Sequence, residues 1–127
     1  MSEIQFEILK GKTLIKIEGG INSEEMSFLT NIGEKYYLFH AQDCYETCVI
    51  IDIVGDLNDL LETPILLAEE VVHEQDVNPT GVSTPKGYQD SFTWTFYKLA
   101  TIIGSVTIRW YGTSNGYYSE RVSFALD

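Results

Sequence analysis

The chain has 127 residues, 44% hydrophobic and 21% charged, which fits one domain with its own core and argues against disorder. Nineteen acidic against eight basic side chains give a formal net charge of −11 and a pI near 4.4. That balance argues against nonspecific binding to nucleic acid or to an anionic membrane; it favours solubility, a cationic partner, or imitation of the charge of DNA.

The N-terminus, Met1 to Glu7, lacks a basic stretch followed by an apolar one, so no signal peptide is expected. The apolar runs are too short to span a bilayer. Glu3 to Leu9 and Lys12 to Glu18 read as a first strand pair around Gly11, or the former as a short helix. Glu25 to Thr30 and Lys35 to His40 flank Asn31-Ile32-Gly33-Glu34, a hairpin turn. Glu46 to Val54 is a β-branched run and reads as a central strand buried on both faces.

Gly55 to Leu61 reads as one or two turns of helix, with Asp56 placed to cap it and Leu57, Leu60 and Leu61 at helical spacing. Pro64 blocks its continuation. Ile65 to His73 returns as a strand. Glu74 to Asp90 is polar, holds Pro79, Gly81, Pro85 and Gly87, and reads as a mobile loop.

In the last third, Phe92, Trp94 and Phe96 alternate with Thr93, Thr95 and Tyr97; Val106, Ile108 and Trp110 alternate with Thr107, Arg109 and Tyr111; Val122, Phe124 and Leu126 alternate with Arg121, Ser123 and Ala125. Three strands, each apolar on one side, predict an antiparallel meander with one buried face. Asn115-Gly116 invites a two-residue turn, which would pair Arg109 with Val122. A loop longer by one residue puts Trp110 opposite Val122 and buries more apolar area, so that register is preferred. The outer face then reads Thr95, Tyr97, Thr107, Arg109, Tyr111, Ser119, Arg121 and Ser123. The expected fold is α+β but mostly β, an antiparallel meander or sandwich with one short helix, in a single domain.

Arg109 and Arg121 are the chain's two arginines. On one sheet face they repel unless something negative sits between them. A phosphate or carboxylate ligand fills that role on one reading, with tyrosines stacking on its ring; Glu120, Asp90 or another acid fills it on the other. The ligand reading takes Arg109 and Arg121 as the phosphate grip, Tyr97, Tyr111 and Tyr117 as stacking groups, and Asn115 and Ser119 as hydrogen-bonding groups. A flat sheet face makes a poor pocket, so completion at a homo-oligomer interface is expected.

His40, Asp43, Cys44, Glu46 and Cys48 crowd one stretch, with Asp52 and His73 further on, but their spacing matches no zinc motif. On a strand the Cα atoms of Cys44 and Cys48 would lie roughly 13 Å apart, too far to bridge, which points to two thiols in a reducing compartment. Asp52, Asp56, Asp59, Glu62, Glu69 and Glu70 form an acidic band around the short helix. It reads as a solvated surface, a divalent-cation site, or an imitation of phosphates that occupies a nucleic-acid-binding protein. No phosphate-cradling loop, nucleophile elbow or zinc-protease motif is present, so neither catalysis nor a cofactor is expected.

The chain resembles a family of small uncharacterised phage and prophage proteins. The likeness runs through His40 to Glu46, Ile51 to Leu57, Pro64 to Glu70, Thr93-Trp94-Thr95-Phe96-Tyr97-Lys98, Ile108-Arg109-Trp110-Tyr111-Gly112 and Ser114 to Ser119. The resemblance carries no activity and no site residue. It implies a phage origin and the cytoplasm of a bacterial host, where small accessory proteins act by binding. The expectation is therefore a non-enzymatic protein that sequesters an anionic nucleotide-type signal of host defence. The alternative is an acidic inhibitor that binds a host defence or nucleic-acid-processing protein directly.

Overall fold

A computed structural model describes residues 2–40, 47–75, 91–114 and 122–127. Among these residues nine strands build two antiparallel sheets: β1 Ser2–Glu3, β2 Leu14–Glu18, β3 Glu25–Thr30, β4 Lys35–Phe39, β5 Thr47–Val54, β6 Leu67–Gln75, β7 Ser91–Ala100, β8 Ser105–Ser114 and β9 Ser123–Leu126. The first sheet runs β1-β9-β4-β3-β2 and the second β5-β8-β7-β6. Among the described residues, helical structure is confined to two 3-10 turns, Phe6–Leu9 and Leu57–Leu60. The mostly β, antiparallel, sandwich-like expectation therefore holds.

Local chemistry explains the elements that were legible. Gly33, at φ 89°, closes the β3–β4 hairpin, where the amide of Thr30 donates to the carbonyl of Glu34. Asp56 caps the second 3-10 turn by accepting from the Asn58 amide at 2.9 Å. Glu3 to Leu9 takes its helical alternative: Phe6–Leu9 is a 3-10 turn, and β2 pairs with β3. Phe6 joins the two sheets, its ring 4.6 Å from that of Tyr97 and 5.1 Å from that of Phe124. Tyr36 stacks on Phe124 at 5.4 Å, and Trp110, Phe28, Met26 and Ile50 complete the same apolar cluster.

Three expectations change. The terminal strands do not form a meander: β7 and β8 pair over ten residues, but β9 crosses to the first sheet and pairs with β4 and β1. Trp110 thus faces Thr95 and Ile50, not Val122, and Ser123 pairs with Phe39. Alternation fixes which side of a strand is buried, but not against which sheet.

β5 is an edge strand of its sheet, not a central one. A bulge between Ile50 and Asp52 flips its phase, which makes its apolar run continuous. The free edge is met by the turn before β3, where the Asn22 amide donates to the Ile50 carbonyl and the Ile50 amide to the Ser23 carbonyl. Finally, β6 extends to Gln75, so Glu74 and Gln75 are strand; the rest of the expected loop, 76–90, lies outside the described residues.

Candidate functional site

β8 sends Val106, Ile108 and Trp110 into the core, and therefore Thr107, Arg109 and Tyr111 outward. Directly paired residues share a face, so the register sets their neighbours. On β7 these are Lys98, Phe96 and Trp94; on β5 they are Val54, Asp52 and Val49. β6 adds Glu69, Val71 and His73 beside Lys98, Phe96 and Trp94.

Trp94 and Tyr111 are in ring contact at 4.6 Å, and the Arg109 guanidinium lies 5.4 Å from the centre of the Trp94 ring. Arg109 Nη2 donates to Asp52 Oδ2 at 3.2 Å, with both side chains 40% exposed. Arg109 Nε is buried without a hydrogen-bond partner. His73 stands edge-on to Phe96 at 5.9 Å. The face is a half-exposed aromatic platform with one ion pair set into it.

Tyr97 does not belong to it. Its side chain points into the core, fully buried, and its hydroxyl donates to Glu70 Oε2 at 2.7 Å. Thr95 is buried as well. The expected phase of β7 is inverted because Leu99 and Tyr97 pair with Val106 and Ile108, which the core already claims. That signal was available in the sequence: a short turn near Gly104 sets the pairing. Arg109 and Tyr111 do share the outer face, whereas Asn115, Tyr117, Ser119 and Arg121 lie outside the described residues.

The acidic band is dispersed. Asp52 binds Arg109, Asp56 caps its turn, and Glu69 and Glu70 fall on opposite faces of β6. Cys48 is a buried thiol, and among the described residues no three His, Cys, Asp or Glu side chains converge as a metal site would require. No described helix is long and apolar enough to cross a membrane.

A second surface escaped the sequence reading. The β7–β8 hairpin turns through Thr101-Ile102-Ile103-Gly104, with Ile102 78% and Ile103 57% exposed. Leu66 precedes and Leu67 begins the neighbouring β6, both exposed, with the Leu66 amide donating to the Ala100 carbonyl. The turn is tied down: the Thr101 hydroxyl donates to the Asp59 carbonyl and accepts from the Ile103 amide. The Asp59 carboxylate lies against Gly104, where an added Cβ would come within 2.7 Å of it. Residues 55–67 and 100–107 hold Asp56, Asp59 and Glu62 and no Lys or Arg. Two isoleucines at a turn were the available cue, since turns favour Gly, Asn, Asp and Pro.

A family model described as a domain of unknown function, DUF7448, matches residues 7–124. The chain belongs to this DUF7448 family. The match covers β2 to β8 and the start of β9, and so the aromatic platform and the hairpin end. No curated protein and no solved structure matches the chain.

Proposed function

We propose that this DUF7448 chain is a non-enzymatic binding protein that engages another protein directly, through the exposed end of the β7–β8 hairpin and the acidic 3-10 turn beside it. One observation carries the reading: Ile102, the most exposed large apolar side chain among the described residues, sits with Ile103 on a turn anchored to Asp59. Water disfavours such a patch, and the residue types disfavour the turn. Local choices that conflict with both folding and solubility are expected where a surface is kept for a partner. The complementary surface is an apolar cleft rimmed by Lys or Arg, matched to Asp56, Asp59 and Glu62. The resemblance to phage and prophage proteins supports a bacterial host protein as the partner.

Nucleotide sequestration at Arg109 has less support. A phosphate would have to displace Asp52 and then tolerate its charge, and Tyr97 is not on that face to stack.

The test is capture from host lysate across a salt series. Binding should fall steeply with salt and be lost when Asp56, Asp59 and Glu62 are reversed to Lys. An interaction that survives the reversal contradicts this reading. Calorimetric binding of a nucleotide that Arg109→Ala abolishes would replace it with sequestration, and product formation would replace it with catalysis.

A further inference from the structure

We infer that the outer face of the second sheet, centred on Trp94, Phe96, Arg109 and Asp52, is where a second copy of this chain docks, forming a two-fold dimer packed sheet against sheet. The chain carries −11, so two copies repel across most of their surfaces. On the outer face, among the described residues, Arg109 and Lys98 are matched by Asp52 and Glu69, so the formal charge there is zero.

The opposite charges are also neighbours, Arg109 beside Asp52 and Lys98 opposite Glu69 in register. Two such pairs are self-complementary. Under a two-fold rotation, each cation can meet the partner's carboxylate while its own pair opens, as an isologous contact requires.

The apolar content suits the same occupant. Trp94, Phe96, Tyr111, Val71 and Val49 are half-buried on this face and form its centre. Trp, Tyr and Arg are the side chains that most often dominate binding energy at protein interfaces. The area is adequate too. Four strands about 4.8 Å apart, with β7 and β8 paired over ten residues, give a face of roughly 19 by 30 Å. Pleated side chains raise that toward the ~800 Å² per partner of a standard interface. A basic partner would gain nothing from a neutral face, whereas a copy of the chain meets no net opposition here from its own acidity.

The experiment is analytical ultracentrifugation of the full chain. Wild type should sediment at twice the 14.4 kDa chain mass at high micromolar concentration. Arg109→Glu makes each face net negative, and Asp52→Arg makes each net positive. Each variant alone should weaken the dimer at least tenfold with circular dichroism unchanged. Mixed in equal amounts, the two should form a heterodimer of near wild-type affinity, a rescue that misfolding or a merely structural role would not produce. Trp94→Ala guards against a charge change that unfolds the sheet and should also give monomer. A monomeric wild type, or a dimer that both charge variants leave intact, overturns the inference. Because the hairpin end lies outside this face, Ile102→Asn with Ile103→Gly should leave the dimer unchanged.

Discussion

Asp52 Oδ2 accepts from Arg109 Nη2 at 3.2 Å across the β5–β8 pair, and the same guanidinium lies over the ring of Trp94 on β7. Three strands are thus linked on the solvent side of the sheet by one side chain. With both partners 40% exposed, the ion pair is worth at most about 1 kcal/mol, and the stacking adds about 0.5–1 kcal/mol. Arg109→Ala should therefore lower stability by roughly 1 kcal/mol and keep the fold. In urea titrations of dilute protein, a double-mutant cycle with Asp52→Ala should give a coupling of about 0.5 kcal/mol that shrinks in 1 M salt. A salt-independent coupling above about 2 kcal/mol would show that this pair holds the sheet together.

Tyr97 gives two separable readings. Tyr97→Phe removes the hydroxyl and its hydrogen bond to Glu70 and should cost about 1–2 kcal/mol. Tyr97→Ala empties a fully buried site against Phe6 and should cost about 3–5 kcal/mol. Thermal unfolding checks both. A Tyr97→Ala protein of nearly wild-type stability would return Tyr97 to the surface.

Two backbone positions around the second 3-10 turn should respond with opposite signs. Gly55 has φ 106°, and a Cβ there would collide with the Ser105 carbonyl oxygen. Gly55→Ala should cost more than about 2 kcal/mol. Exposed Glu62 has φ 67°, a conformation that penalises a side chain, so Glu62→Gly should gain up to about 1 kcal/mol. The urea midpoints of the two variants should fall on either side of the wild type.

Much of this architecture can be read from residue order, and the failures have common physical causes. β3, β4 and the Asp56 cap follow from turn glycines and a short polar side chain, which act over a few residues. The crossing of β9 and the edge position of β5 are long-range choices, and Phe124 looks equally apolar whichever sheet receives it. β7 carries aromatics on both faces, Trp94 and Phe96 outside and Tyr97 inside, so hydrophobicity alone could not orient it. The cation–carboxylate pairing of Arg109 was foreseen in kind, but the bulge at Ile51 hid Asp52 as the partner. Ile102 and Ile103 were legible in principle, because β-branched residues at a turn break a local rule.

Stability should depend on pH through Tyr36 on β4 and through Lys12 and Glu34, which flank β2 and β4. Lys12 Nζ donates to Glu34 Oε1 at 2.9 Å, which holds the Glu34 carboxyl below its ordinary 4.5 and Lys12 above its ordinary 10.5. A lowered folded-state value for Glu34 means its contribution is present above pH 4.5 and lost as the pH falls below it. A raised value for Lys12 means its contribution is full below pH 10.5 and lost as the pH rises past that. Burial raises the Tyr36 hydroxyl above 10.0, so ionising it on the alkaline side also weakens the fold. Urea midpoints of wild type and Lys12→Met should converge as the pH drops from 5 to 3. Parallel curves would show that Glu34 gains nothing from Lys12.

The exposed hairpin end is the central claim, and one paired measurement tests it most directly. Ile102→Asn with Ile103→Gly removes two exposed apolar side chains from a turn whose residues do not have positive φ, so the loss of stability should not exceed the roughly 1 kcal/mol that a glycine's backbone freedom costs. Capture of the host protein by the same variant should fall at least tenfold relative to wild type. Wild-type capture by a variant of unchanged or greater stability would contradict the account, because those isoleucines would then be neither needed by the fold nor used by a partner.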